Sequence, residues 1–271
     1  MAENGVSMRD SFLATDQRPG NVVFDLDGVI FLGAESISGA GAALAAIADS
    51  GANVIFATNN ATKTTDHVAA RIAADTGFVP QPRSIATAAT SAAEALTSED
   101  DPVLVVGESG LVETLLASGR SMTEEATSAH SVVVGLDRSI TYDKLEKAAT
   151  AIRMGARFIA TNTDVTFPMP EGPVPGAGAI VAAIAAAAEA SPEVTGKPHQ
   201  PMVRHISRLL GPGDTWMVGD RAETDLALAR AAGWKAVLTL TGITRSIDDV
   251  SKDLRPDLVI DSVADLVEMF R

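Results

Sequence analysis

The sequence predicts an α/β protein with a parallel sheet covered by helices, and three observations carry that expectation. From Asn21 onward, short β-branched runs alternate with longer stretches of helical periodicity, the rhythm of strand–helix–strand units. Polar clusters follow directly on several of the apolar runs, where an open parallel sheet places its ligands. One interval between such clusters, 139 residues from Thr58 to Lys197, is far too long for one helix and one strand. At 271 residues, 46% hydrophobic and 21% charged, the chain can bury a substantial core, which excludes a disordered or fibrous protein.

Residues 1–18, MAENGVSMRDSFLATDQR, have neither a long apolar stretch nor a basic start. They read as a flexible tail rather than a secretory signal or anchor. Strands are expected at Val22–Leu26, Asn53–Ala57, Val103–Val106, Val132–Leu136, Phe158–Thr161, Thr215–Val218, Ala236–Thr239 and Leu258–Ile260, with helices between them. Tyr142–Gly155 places Leu145, Ala149 and Ile152 on one face, leaves Asp143, Glu146 and Arg153 to water, and ends on a capping glycine. The Ala-rich stretch Ala177–Ala190 spans about four helical turns, too short for a membrane, and is expected to be a buried helix.

Composition narrows the function classes. Asp and Glu number 35 against 21 Lys and Arg, a net charge of -14, which repels nucleic acid and anionic lipid at long range. A bound phosphate must therefore be held by local features. With no cysteine there are no disulfides, thiolate nucleophiles or zinc–thiolate sites, and a cytoplasmic setting is expected. The chain has no GxxxxGK[ST] loop, no GxGxxG after its first strand, no GxSxG and no HExxH. Its histidines (His67, His130, His199, His205) show neither triad nor zinc spacing. Hydrolytic chemistry here must run on carboxylates.

Four strand-end clusters supply them: Asp25-Leu26-Asp27-Gly28, Thr58-Asn59-Asn60, Gly196-Lys197-Pro198, and Gly219-Asp220-Arg221 with Asp225 beyond. Each alone has a bland explanation as a helix cap or surface turn. Together they bring Asp25, Asp27 and Asp220 to one sheet edge, where their repulsion calls for a cation. A hard ion such as Mg²⁺ suits carboxylates, a backbone carbonyl, water and substrate phosphate. Lys197, Thr58 and backbone amides are the remaining donors for a phosphoryl group.

These four clusters, in this order, resemble the ordered motifs of the haloacid dehalogenase (HAD) superfamily, and the resemblance spans nearly the whole chain after the tail. Only 33 residues separate Asp25 from Thr58, so no lid is inserted there. The long interval before Lys197 accommodates an extra α/β domain of about 90 residues. Its segments Gly135-Leu136-Asp137, Thr141-Tyr142-Asp143-Lys144-Leu145, Thr161-Asn162-Thr163-Asp164 and Pro175-Gly176-Ala177-Gly178-Ala179 are similar to the C2-type cap of the NagD-like phosphatases. That subgroup includes p-nitrophenyl, phosphoglycolate, glycerol-phosphate and pyridoxal phosphatases. The resemblance implies a Rossmann-like HAD core at 19–100 and 194–271 and a cap at 101–193.

It also implies a Mg²⁺-dependent phosphomonoesterase of small phosphorylated metabolites. Asp25 would be the nucleophile that becomes an aspartyl-phosphate, and Asp27 the acid that protonates the leaving alcohol and then activates water. Mg²⁺ would be held by Asp25, the Asp27 carbonyl and Asp220. Asp225 would orient Lys197 or a metal-bound water, with helix N-terminal charge stabilisation as its alternative role. Thr58 and the amides at Asn59 and Asn60 would hold phosphate oxygens, and Lys197 would neutralise their charge. In the cap, Asn162, Asp164 and Phe167 would read the substrate, beside the wall formed by 173–178. Phe167 stands where a pyridoxal phosphatase carries histidine, which speaks against that substrate. Similar proteins dimerise through the cap, so a homodimer is among the expectations. The alternatives are another HAD-type phosphoryl transferase and a catalytically silent binding protein on the same fold. A silent protein should have lost one of Asp25, Asp27, Lys197 and Asp220, and all four are present.

Overall fold

The computed structural model describes residues 18–167 and 172–271. The expected tail therefore lies almost wholly outside the described residues, as does the side chain of Phe167. The chain forms two compact units. One runs to Ala57 and also takes Ala69–Ile85 and Leu209–Arg271, and the other comprises Thr58–Val68 and Ala86–Arg208.

The first unit is built on a six-stranded sheet in the order Leu258–Ile260, Lys235–Thr239, Thr215–Gly219, Asn21–Phe24, Asn53–Thr58, Ile85–Thr87. The first five of these run parallel. Asn21–Phe24 and Thr215–Gly219 are buried at every position, as expected for central strands covered on both faces. Phe24 packs against Phe56 and Phe56 against Phe78, each with ring centroids 6.2 Å apart, and Trp216 meets Phe270 edge-on at 5.7 Å. Strand order reverses around Asn21–Phe24: Asn53–Thr58, the sheet's next strand in sequence, lies on one side of it and Thr215–Gly219 on the other. This switch point is where an open α/β sheet leaves a crevice beyond its carboxyl ends.

The second unit holds a four-stranded parallel sheet in the order Glu193–Val194, Arg157–Ala160, Ser131–Val134, Val103–Val106. Val132, Val134, Phe158, Ile152 and Ile184 lie in its core. The helix expected from Tyr142 runs to Arg153. Thr141 caps it by accepting the Lys144 N–H, and Gly155, at φ 104°, lies just past its end. Ala149 and Ile152 are buried as expected, while Leu145 is partly buried against the same core. Helix Ala177–Ala188, expected as a buried helix to Ala190, is buried on one face only. Ile180, Val181 and Ile184 face the core, but Ala182, Ala183, Ala186 and Ala187 are exposed. Alanine fits both environments, so composition alone did not separate the faces.

Strand ends differ from expectation where a polar turn intervenes. The first strand stops at Phe24 rather than Leu26, because the Leu26 carbonyl accepts the N–H groups of Val29, Ile30 and Phe31 and folds the chain back. The strands at Ser131–Val134 and Arg157–Ala160 begin and end before the expected bounds. The short strands Ile85–Thr87 and Glu193–Val194 and the hairpin pairs Phe31–Leu32/Glu35–Ser36 and Thr166–Phe167/Val174–Pro175 carry too few residues to show a period. Among the described residues no helix is long and apolar enough to cross a membrane.

One charged cluster braces the second sheet. Arg157 donates to Asp100 (3.1 Å), Glu193 (2.6 Å) and the Ala95 carbonyl (3.0 Å), and Thr97 donates to the same Asp100 oxygen from its backbone N–H at 2.7 Å. Burial opposes ionisation of Asp100, but the bonds from Thr97 and Arg157 and the guanidinium charge outweigh it and hold the carboxyl below its ordinary range. Because its folded pKa is depressed, Asp100 contributes stability above the unfolded pKa of about 4 and loses it as pH falls through the folded value. Replacing Arg157 with Met should cost about 2 kcal/mol at pH 7. The gap from wild type should narrow below about pH 4, as urea unfolding at pH 7 and pH 3 would measure.

Candidate active site

Parallel register brings the acidic residues of the first unit together. Phe24 pairs with Val218 across two central strands, so the residues just beyond, Asp25 and Gly219-Asp220, emerge at the same sheet edge. The Asp25 N–H continues the ladder by donating to the Val218 carbonyl at 2.9 Å. One carboxylate oxygen from each of Asp25, Asp220 and Asp225 lies within 4.8 Å of the others, and all three residues are buried.

Backbone groups shape this cluster. Asp225 sits in a π-helical turn, Ala222–Leu226, that leads into helix Ala227–Ala232. Such turns recur at functional sites. Its Oδ2 accepts the N–H groups of Asp220 (3.2 Å) and Arg221 (3.1 Å), so the carboxylate folds back over the strand end. Asp220 Oδ2 accepts the Ile243 N–H at 2.6 Å, and the Thr244 N–H bonds the Asp220 carbonyl at 3.0 Å. Two glycines make room. A Cβ on Gly28 (φ 88°) would lie 2.4 Å from Asp220 Oδ2, and one on Gly242 only 1.8 Å from it. Thr241 Oγ1 donates to the Gly28 carbonyl at 2.5 Å, which fixes the turn after Asp27. The loop Thr241-Gly242-Ile243 was not singled out from sequence. Its one signal was a glycine three residues beyond the strand Lys235–Thr239, in no known motif.

Asp27 lies in that turn, half-buried, and its carboxylate is outside the three-residue cluster. The main chain there is fixed by the Gly28 N–H donating to the Phe31 carbonyl at 2.6 Å.

A buried, glycine-lined group of three carboxylates suits a small divalent cation that prefers oxygen. Without positive charge the cluster is costly. At an effective dielectric near 20, two unit charges 4.8 Å apart repel by roughly 3–4 kcal/mol.

In the second unit, a different set of the expected residues is joined by hydrogen bonds. Thr58 ends strand Asn53–Thr58, and its Oγ1 accepts the Asn60 N–H at 3.1 Å. Asn60 Oδ1 accepts both the N–H and the hydroxyl of Thr62 at 2.8 Å, closing a tight Asx turn. Asn59 contacts Lys197, Asp164 and Asn162. Lys197 is 4% exposed. Phe167 pairs its main chain with Val174 in the short hairpin.

The comparisons with known proteins agree with this architecture. A haloacid dehalogenase-like hydrolase model matches residues 22–121, and a HAD-hydrolase-like model matches residues 194–266. A dihydroxyacetone phosphatase of Corynebacterium glutamicum is 36% identical over 248 residues, covering 90% of this chain and 89% of the relative. The solved p-nitrophenyl phosphatase of Archaeoglobus fulgidus superposes with a TM-score of 0.86 at 31% identity, over 93% of this chain and 100% of that one. A glycerol phosphate phosphatase of Mycobacterium tuberculosis, solved in complex with magnesium, gives a TM-score of 0.84 at 31% identity, over 92% of this chain and 77% of that one. The chain belongs to the haloacid dehalogenase-like hydrolases, in their NagD-like, p-nitrophenyl phosphatase-like subgroup.

Proposed function

We propose that this protein is a Mg²⁺-dependent phosphomonoesterase of small phosphorylated metabolites such as sugar phosphates, glycerol phosphate, phosphoglycolate or nucleotides. The observation that carries the reading is the buried convergence of Asp25, Asp220 and Asp225 at the sheet's switch point. Relatives named as dihydroxyacetone, glycerol phosphate and p-nitrophenyl phosphatases support the substrate class. The magnesium complex of one of them supports the ion.

In this reading an Asp25 carboxylate oxygen attacks phosphorus. A P–O bond to Asp25 forms as the bond to the leaving alcohol breaks, and Asp27 gives its proton to the departing oxygen. Asp27, now a carboxylate, takes a proton from the water that attacks the phosphorus of the aspartyl-phosphate; the P–O bond to Asp25 breaks as the new one forms, which restores the Asp25 carboxylate and releases inorganic phosphate. Bound Mg²⁺ supplies charge neutralisation that lets an anionic nucleophile meet an anionic phosphate. Asp25, Asp220 and the Asp27 carbonyl are assigned as its protein ligands. Asp225 is assigned to orienting the Asp220–Arg221 main chain, which it already bonds. Thr58, the amides at Asn59 and Asn60, and the Lys197 ammonium are assigned to the phosphoryl group. Asn162, Asp164 and Phe167 are assigned to the substrate side, on an inserted cap domain spanning 101–193. The same reading carries a homodimer through the cap, which sedimentation would register as a doubled mass. It also carries a cytoplasmic setting, consistent with a chain lacking cysteine.

Three outcomes follow. Asp25→Asn should lower turnover of p-nitrophenyl phosphate by at least about 10³-fold, since the neutral amide cannot form the intermediate, with an unchanged far-ultraviolet spectrum. Metal-stripped enzyme should be inactive in EDTA and recover when Mg²⁺ is restored; full activity in EDTA would refute the metal role. Gly242→Ala places a methyl group against Asp220 and should weaken Mg²⁺ binding at least tenfold by calorimetry, about 1.4 kcal/mol.

A further inference from the structure

We propose that the side chain of Asn59 has a positioning role and is not itself a substrate contact, whatever its main-chain amide binds. Its side-chain amide fixes the main chain of Lys197 and ties it to the loop that carries Asn162 and Asp164. The inference rests on the phosphatase reading, in which Lys197 holds the phosphoryl group.

Hydrogen-bond capacity is the first argument. The Asn59 Oδ1 accepts the Lys197 N–H at 2.7 Å, and its Nδ2 donates to the Lys197 carbonyl at 3.2 Å. The amide thus grips both faces of one residue's backbone, as a neighbouring strand would. The second Nδ2 hydrogen goes to Asp164 Oδ2 at 3.2 Å. A primary amide has two donors, so Asn59 has no side-chain donor left for a phosphate. Its main-chain carbonyl accepts from Asn162 Nδ2 at 2.8 Å, and Asn162 Oδ1 in turn accepts the Asp164 N–H at 3.1 Å. One residue therefore joins the Thr58 loop, the Lys197 loop and the segment after strand Arg157–Ala160.

The close approach is built in. A Cβ on Gly196 would lie 2.6 Å from Asn59 Oδ1 and 2.4 Å from the Thr161 carbonyl, so the residue before Lys197 must lack a side chain for the amide to reach its partner.

The arrangement needs an amide at 59 and a carboxylate at 164. An aspartate at 59 has the same shape but sets a carboxylate oxygen against both the Lys197 carbonyl and the Asp164 carboxylate. Moving the amide across the contact, with Asp at 59 and Asn at 164, restores a donor–acceptor pair between them. The wild type, Asn59→Asp, Asp164→Asn and the double variant would be assayed with p-nitrophenyl phosphate and Mg²⁺, at a temperature where circular dichroism shows each folded. Asn59→Asp should lower kcat at least about 30-fold while KM moves less than about threefold. The double variant should recover at least about tenfold of that loss, a coupling of roughly 1.4 kcal/mol. A role confined to holding the fold would lower the melting temperature without this recovery at a folded temperature. Should Asn59→Asp not fold, Asn59→Ala introduces no charge and should lower kcat about tenfold. Asn59→Asp or Asn59→Ala keeping kcat within twofold of wild type, or a double variant no better than Asn59→Asp, would overturn the positioning role. An inactive wild type would instead overturn the phosphatase reading.

Discussion

The repulsion among Asp25, Asp220 and Asp225 is the constraint around which the first unit is organised. Three carboxylate oxygens within 4.8 Å of one another would, if all were ionised, oppose folding by on the order of 10 kcal/mol at an effective dielectric near 20. That is comparable with the whole stability of a typical domain. Backbone amides offset part of it, two on Asp225 and one on Asp220. A divalent cation is the natural complement for the remainder, and the same charge that relieves the repulsion would draw in a phosphate dianion. Stability and function thus place the same demand on this spot.

The sheet delivers the residues to it. Parallel strands in matched register end together, and the pairing of Phe24 with Val218 makes Asp25 and Asp220 near neighbours without any loop having to fold back. The loop that does fold back, Thr241-Gly242-Ile243, reaches Asp220 with a backbone N–H, while its Thr241 hydroxyl holds the Gly28 turn. An amide donor has no pKa in the working range. A donor of that kind holds Asp220 in place without adding another charge.

Much of this was legible in the sequence, because parallel strands read as apolar runs and their ends as polar punctuation. Val103–Val106 and Leu258–Ile260 coincide with the observed strands. The central strand was misjudged at its end only because Leu26 is apolar yet lies in a turn. What the sequence withheld were long-range pairings with no pattern of their own. Gly242 matters because of Asp220, 22 residues earlier, and Arg157 because of Asp100, 57 residues earlier. The two-residue strands carry no period. The exposed alanine face of Ala177–Ala188 was hidden because hydrophobicity scales rank alanine with residues that water excludes.

In the proposed reading, Asn59 is a neutral tether for a lysine assigned to the phosphate. A tether that used the ammonium itself would compete with a bound phosphate for the same charge. Gripping the main chain instead fixes where the side chain starts and does not draw on its charge. The amide also cannot titrate, so the grip persists across the pH range in which phosphate and aspartate change protonation. The contact between Asn59 Nδ2 and Asp164 Oδ2 adds a second consequence. Whatever displaces Asp164 also removes one of the three hydrogen bonds that hold that amide, and through it loosens the placement of Lys197. A segment assigned to reading the substrate is in this way mechanically joined to a residue assigned to its phosphate, through hydrogen bonds confined to a single compact unit.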